Sequence, residues 1–236
     1  METPTSASSQ TLRFDPSKLI FSDEFDAEYV NTDIWQTEYR WGHFNNGEAQ
    51  YYIPTAFEFR DGILRIKAEE QPMNGKEYTS GVLASYDKFY FTYGYVEIRA
   101  KVPDGQGLWP ALWMLTQERF QPGEIDIMEI LGHEPDVAYT SLHYAETSDD
   151  DAAITHAYIG PDFSSDFHLF AVSWEEGVLV WFIDNQEVFR LTHGVPDQPM
   201  YLLMNLAVGG EWSGYPNEST QFPAYFDIDY VRVYAR

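Results

Sequence analysis

Three acids, Glu124, Asp126 and Glu129, stand inside the otherwise apolar run Glu124-Ile125-Asp126-Ile127-Met128-Glu129-Ile130. A run of that length, with Pro122-Gly123 before it and Gly132 after it, predicts a buried strand. Carboxylates are costly in such a strand unless they are paired or put to use. Side chains alternate along a strand, so Glu124 and Asp126 share one face, and Ile125 and Ile127 the other. Unbroken alternation would send Glu129 to the apolar side. One extra residue near Met128, a β-bulge, returns it to the face of the other two acids. Bulges are common beside active sites, where they re-aim a side chain. The plainer alternative is a strand with a solvent-facing edge that happens to carry three acids.

The bulged spacing suits one kind of chemistry. Glu124 and Glu129 stand roughly 13 Å apart along such a strand, at about 3.3 Å per step. Inward-leaning side chains can close this to about 5–5.5 Å, the carboxyl separation of a retaining glycosidase. Asp126 lies between them and couples to both. Coupled carboxyls cannot all ionise together, so their proton affinities spread apart. One can then remain an ionised nucleophile while another stays a protonated acid.

The elements around this strand must position it. The chain has 236 residues, enough for one all-β domain with a full core. Short strands recur along it, punctuated by Gly, Pro, Asn and Asp. Phe57–Arg60 and Ile63–Ala68 flank Asp61-Gly62, a hairpin signal. Strands are also expected from Leu19, over 89–93, 95–102, 109–115, 139–144 and 167–174, and then over 178–183, 187–191, 201–208 and 226–234. Residues 1–15 read as a polar tail without the basic and apolar regions of a signal peptide, and 16–236 as a single domain. Many short strands without helical periodicity predict a β-sandwich or jelly roll.

Composition narrows the partners. A formal charge of −24 argues against nucleic acid and anionic membrane, and against a sulfated polymer. No apolar stretch is long enough for a transmembrane helix. The absence of cysteine rules out disulfides and thiolate metal sites. Aromatics make up 17% of the chain, which is high; they either pack the core between two sheets or pave a cleft with flat apolar faces that suit sugar rings. Trp109 and Trp113, four apart in Gly107-Leu108-Trp109-Pro110-Ala111-Leu112-Trp113, share one strand face. They are either core tryptophans or walls of the cleft that holds the acids. His143, on the strand after the acids, is either structural or a hydrogen-bonding partner for a sugar or a carboxylate.

With these blocks in view, the chain resembles glycoside hydrolase family 16, and within it the laminarinase-like endo-1,3-β-glucanases. The bulged acidic strand carries the resemblance most specifically. Tyr78-Thr79-Ser80-Gly81, the Gly105–Trp113 stretch, the Asn205–Trp212 stretch and Asp229-Tyr230-Val231-Arg232-Val233-Tyr234 extend it from Phe21 to Tyr234. The resemblance implies an all-β jelly roll of two antiparallel sheets with a concave substrate cleft. It implies Glu124 as nucleophile, Glu129 as acid/base and Asp126 as the electrostatic helper. It implies substrate contacts from Asn46, Trp109, Trp113, His143, Asn205 and Trp212. It further implies a secreted monomer acting on neutral β-glucan, and a structural calcium ion at Glu24, Gly62 and Asp229, where oxygen ligands suit that ion. Two departures stand out. Gly47 is inserted after Asn45-Asn46, which blurs the sugar-binding asparagine, and Val82 stands where many members carry an arginine. A non-catalytic glucan-binding jelly roll and a galactan hydrolase are the alternatives.

Overall fold

The computed structural model describes residues 15–118, 123–144 and 152–236. The expected tail therefore lies outside the described residues except for Asp15, which caps a short 3-10 turn over Pro16–Lys18. Pro122 of the turn before the acidic strand also lies outside them.

Sixteen strands follow. They are β1 (Leu19–Asp23), β2 (Gln50–Tyr52), β3 (Phe57–Arg60), β4 (Ile63–Ala68), β5 (Tyr78–Ser80), β6 (Val82–Ala84), β7 (Gly94–Lys101) and β8 (Leu108–Thr116). Then come β9 (Glu124–Ile130), β10 (Val137–Tyr144), β11 (Ala152–Ile159), β12 (His168–Glu175), β13 (Val178–Ile183), β14 (Gln186–Leu191), β15 (Met200–Val208) and β16 (Ala224–Tyr234). One sheet runs β14-β13-β12-β7-β16-β4-β3, with β1 also on β16; the other runs β11-β10-β9-β8-β15-β6. All pairings in both sheets are antiparallel, whereas β2 and β5 form a small parallel ladder apart from them. Apolar side chains from the two inner faces, among them Ile98, Ile125, Leu206 and Phe226, fill one core between the sheets. The two-layer sandwich expected from the strand pattern is the architecture found.

Local chemistry accounts for the details. Asp61 and Gly62 take φ of 54° and 76°, the left-handed pair of a two-residue hairpin turn. Gly132 is needed for a different reason, close approach: a Cβ there would sit 2.3 Å from the Gly105 carbonyl oxygen. Its backbone N–H donates to the Leu108 carbonyl at 2.7 Å, which ties the exit of β9 to the entry of β8. The strand expected over 89–93 is not formed. Phe91 makes one isolated bridge to Met200, and Tyr93 turns left-handed. Its aromatics, which favour strands on composition, instead stack as a column with Phe21, whose ring lies 4.2 Å from that of Phe89.

Candidate active site

The six-stranded sheet turns its outer face to a cleft, and register places the acids there. Glu124 pairs with Leu115 and His143, Asp126 with Trp113 and Ser141, and Glu129 with Ala111 and Tyr139. Between Asp126 and Glu129 the strand holds two residues, Ile127 and Met128, where β10 holds only Thr140. This is the bulge expected from the acid spacing. Ile127 and Met128 are both buried in the inter-sheet core, and so is Ile125. Three acids therefore face the cleft while every apolar neighbour faces inward.

The bulge is held from beyond its own sheet. Trp181 on β13, fully buried, donates its indole N–H to the backbone carbonyl of Asp126 at 2.8 Å.

Electrostatics separate the three carboxyls. Burial raises the proton affinity of Glu129 well above the usual carboxylate range, and the charges of Asp126 and Glu124 raise it further. A hydrogen bond from Trp109 Nε1 to Glu129 Oε1 at 3.1 Å opposes the rise. Asp126 is 2% exposed, and burial raises it too. His143, whose Nε2 lies 3.3 Å from Asp126 Oδ2, and a hydrogen bond with Glu124 pull the other way. Ligand-capable atoms of Glu124, Asp126 and His143 all lie within 4.8 Å of one another. Asp126 and Glu129 thus feel the ionisable groups beside them and do not titrate independently.

The remaining expected residues divide. Trp109 stands beside Glu129 in the cleft, with the exposed Trp212 edge-on to it at 5.1 Å. Trp113 also lines the cleft but is only 7% exposed, packed edge-on under Tyr39. Its Nε1 donates to Asn205 Oδ1 at 2.7 Å, and Asn205 Nδ2 donates to the Tyr52 hydroxyl at 3.0 Å. Asn205 is thus buried and occupied in holding Trp113. His143 pairs with a carboxylate, the second of its two expected options. Asn45 and Asn46 both reach the cleft; the inserted Gly47 completes a left-handed turn with φ of 68° after Asn46 at 44°.

Sequence reasoning missed Glu48. It lines the cleft opposite the catalytic candidates, 3% exposed, and burial lifts its carboxyl to about 7. Its place in the Asn45-Asn46 block was the available signal. It also missed Arg40. Arg40 sits over Tyr86 and Tyr201, is held 2.5 Å from Asp87, and lines a second hollow that shares Tyr39 with the cleft.

The calcium expectation meets a different arrangement. Both Glu24 oxygens accept from Arg232, at 2.9 and 2.7 Å, and Asp229 accepts from Arg99 at 2.5 Å. In this arrangement each carboxylate is paired with its own arginine, and Gly62 has only a backbone carbonyl to offer a cation.

A β-sandwich with three coupled carboxyls and indoles along one cleft defines a carbohydrate-active protein of the two-carboxylate kind. Residues 54–232 match the family model for glycosyl hydrolases family 16. A beta-glucanase of Rhodothermus marinus is 36% identical, over 92% of this chain and 85% of its own length. The endo-1,3-1,4-beta-glycanase EglC of Rhizobium meliloti is 34% identical over 91% of this chain, but the match spans about half of that protein (51%). The laminarinase catalytic domain of Thermotoga maritima superposes with a TM-score of 0.84 at 39% identity, covering 92% of this chain and 98% of that domain. The chain belongs to glycoside hydrolase family 16.

Proposed function

We propose that this protein is a retaining endo-glycosidase that hydrolyses internal β-1,3 linkages of neutral, laminarin-type β-glucan. One observation carries the reading. The bulge at Ile127–Met128 returns Glu129 to the face of Glu124 and Asp126, in a setting that keeps its carboxyl protonated beyond the usual carboxylate range. The beta-glucanase and laminarinase relatives supply the substrate class, and the −24 charge disfavours sulfated polymers.

In this reading Glu124 attacks the anomeric carbon while Glu129 gives its proton to the departing glycosidic oxygen. The glycosyl-enzyme ester forms as the C–O bond to the leaving chain breaks. Glu129, now a carboxylate, takes a proton from water, which opens the ester and returns Glu124. Asp126 holds negative charge beside both and so keeps the proton on Glu129 until it is needed. Trp109 and Trp212 offer indole faces to the glucan, with Trp113 forming the floor. A polymer of this size is met outside the cell, so we place the activity there.

Proton NMR of the first products from laminarin tests the reading. The β anomer is expected to appear first and then mutarotate. The α anomer first would refute double displacement, and tight binding without reducing-end release would make the protein a glucan-binding jelly roll.

A further inference from the structure

We propose that Trp181 is a positioning residue for this reaction. From the opposite sheet, its indole N–H holds the backbone carbonyl of Asp126 and so fixes the bulge that sets Glu129 relative to Glu124.

Several observations converge on it. The bond is short, 2.8 Å, and buried. Its acceptor is the residue at which the strand leaves regular register, since Asp126 is the last acid before the two bulge residues. A bulge disrupts the ladder locally, so a donor from outside the sheet is what can hold its backbone in place. Trp181 itself sits beside a second irregularity: it pairs with Phe189 while Phe182 pairs with Glu187, leaving Val188 unmatched. The indole is wedged at 5.2 Å from the Phe189 ring, so its position is fixed by packing before it donates. A bulge freed from this tether would let Glu129 drift out of its buried setting and away from the Asp126 and Glu124 charges, which together raise its proton affinity.

Removing the whole side chain would open the core, so the test removes only the N–H. Site-specific replacement of Trp181 by 3-benzothienylalanine keeps the ring shape and puts sulfur in place of the donor. The same replacement at Trp174 is the control. Trp174 is equally buried, and its indole donates to the Pro196 carbonyl rather than to the acidic strand. On laminarin, the Trp181 variant is expected to lose about 10- to 100-fold in kcat, the scale of a small misplacement of reacting groups. KM should stay within about twofold, because the sugar-facing side chains are untouched. The alkaline limb of kcat/KM should move to lower pH by about half a unit or more, as Glu129 loses its crowding. The Trp174 variant is expected to keep both kcat and the pH profile.

An unchanged kcat and pH profile, or a fall in kcat without movement of the alkaline limb, would overturn the proposal. So would loss of the fold in the Trp181 isostere, which would make the bond purely structural. The inference rests on Glu124 and Glu129 being the reacting pair, and Glu124→Ala and Glu129→Ala in the same assay judge that separately. If either kept near-normal activity, the reading of the reaction would fail. If both were inactive beside an unaltered Trp181 isostere, only the inference would fail.

Discussion

Glu48 allows a prediction about stability whose size follows from its surroundings. Burial lifts its carboxyl from 4.5 to about 7, while hydrogen bonding from Gln50 and the charge of Lys76 only partly oppose the rise. The folded protein thus holds a proton that the unfolded chain releases. The contribution is therefore intact below pH 4.5 and is lost as pH rises from 4.5 to about 7. A shift of that size corresponds to about 3 kcal/mol once both states are ionised. Glu48→Gln removes the titration and keeps the shape. Gln50 Oε1 accepts from the Val208 N–H, so its Nε2 must face position 48, where an amide oxygen can take over from the carboxylate. The variant is expected to be more stable than the parent by under about 1 kcal/mol at pH 5 and by about 3 kcal/mol at pH 8. For a domain of this size that is roughly 6–12 °C in Tm at pH 8. Urea unfolding across this range provides the measurement. Parallel pH curves for the two proteins would refute the argument, because they would mean that Glu48 titrates alike in the folded and unfolded states.

Further outcomes bear on the cleft. With an activated aryl β-glucoside and azide, Glu129→Ala is expected to yield the β-glucosyl azide and Glu124→Ala the α-azide; the reverse pattern would exchange the two roles. Trp109→Phe removes the N–H that favours ionised Glu129, so the alkaline limb of kcat/KM should move to higher pH, with about 1–3 kcal/mol lost in transition-state stabilisation. An unmoved profile would mean that the indole does not act on Glu129. Asn205→Ala leaves the Trp113 N–H and the Tyr52 hydroxyl without their partner, and thermal unfolding should report a loss of about 2–4 kcal/mol. A loss under about 0.5 kcal/mol would show that both groups find other partners.

The legible parts of the sequence were those fixed by local rules. The acid spacing in β9 fits the cleft in only one way, so the bulge could be read from seven residues. The Asp61-Gly62 hairpin followed from the two residues that accept left-handed backbone. What escaped depended on partners distant in sequence. β11 opens on Ala152-Ala153, and His156-Ala157 interrupts its strand-favouring residues Ile154, Thr155, Tyr158 and Ile159; β10 makes it a strand by pairing along its whole length. The three-residue strands β2, β5 and β6 are too short to show a period. The aromatics over 89–93 read as a strand because composition cannot tell a pleated surface from a stacked column. His143 could be placed on a strand, but its pairing with Asp126 was set by register across β9 and β10. The arginines that hold Glu24 and Asp229 lie 208 and 130 residues away from their partners, so the carboxylates looked available to an ion.

The lip that carries Asn45, Asn46 and Glu48 is fastened on both sides. Ala49 donates its N–H to the Val208 carbonyl, Gln50 accepts from the Val208 N–H, and Tyr52 donates to the His43 carbonyl. A segment tied by backbone bonds has already lost the freedom that a mobile lid must surrender each time it closes. The entropic cost of forming the complex then falls on the glucan rather than on the protein. On this side an incoming polymer meets a wall already in place, so no closing of this lip has to precede binding. Nor does this lip have to open again before a cut chain leaves.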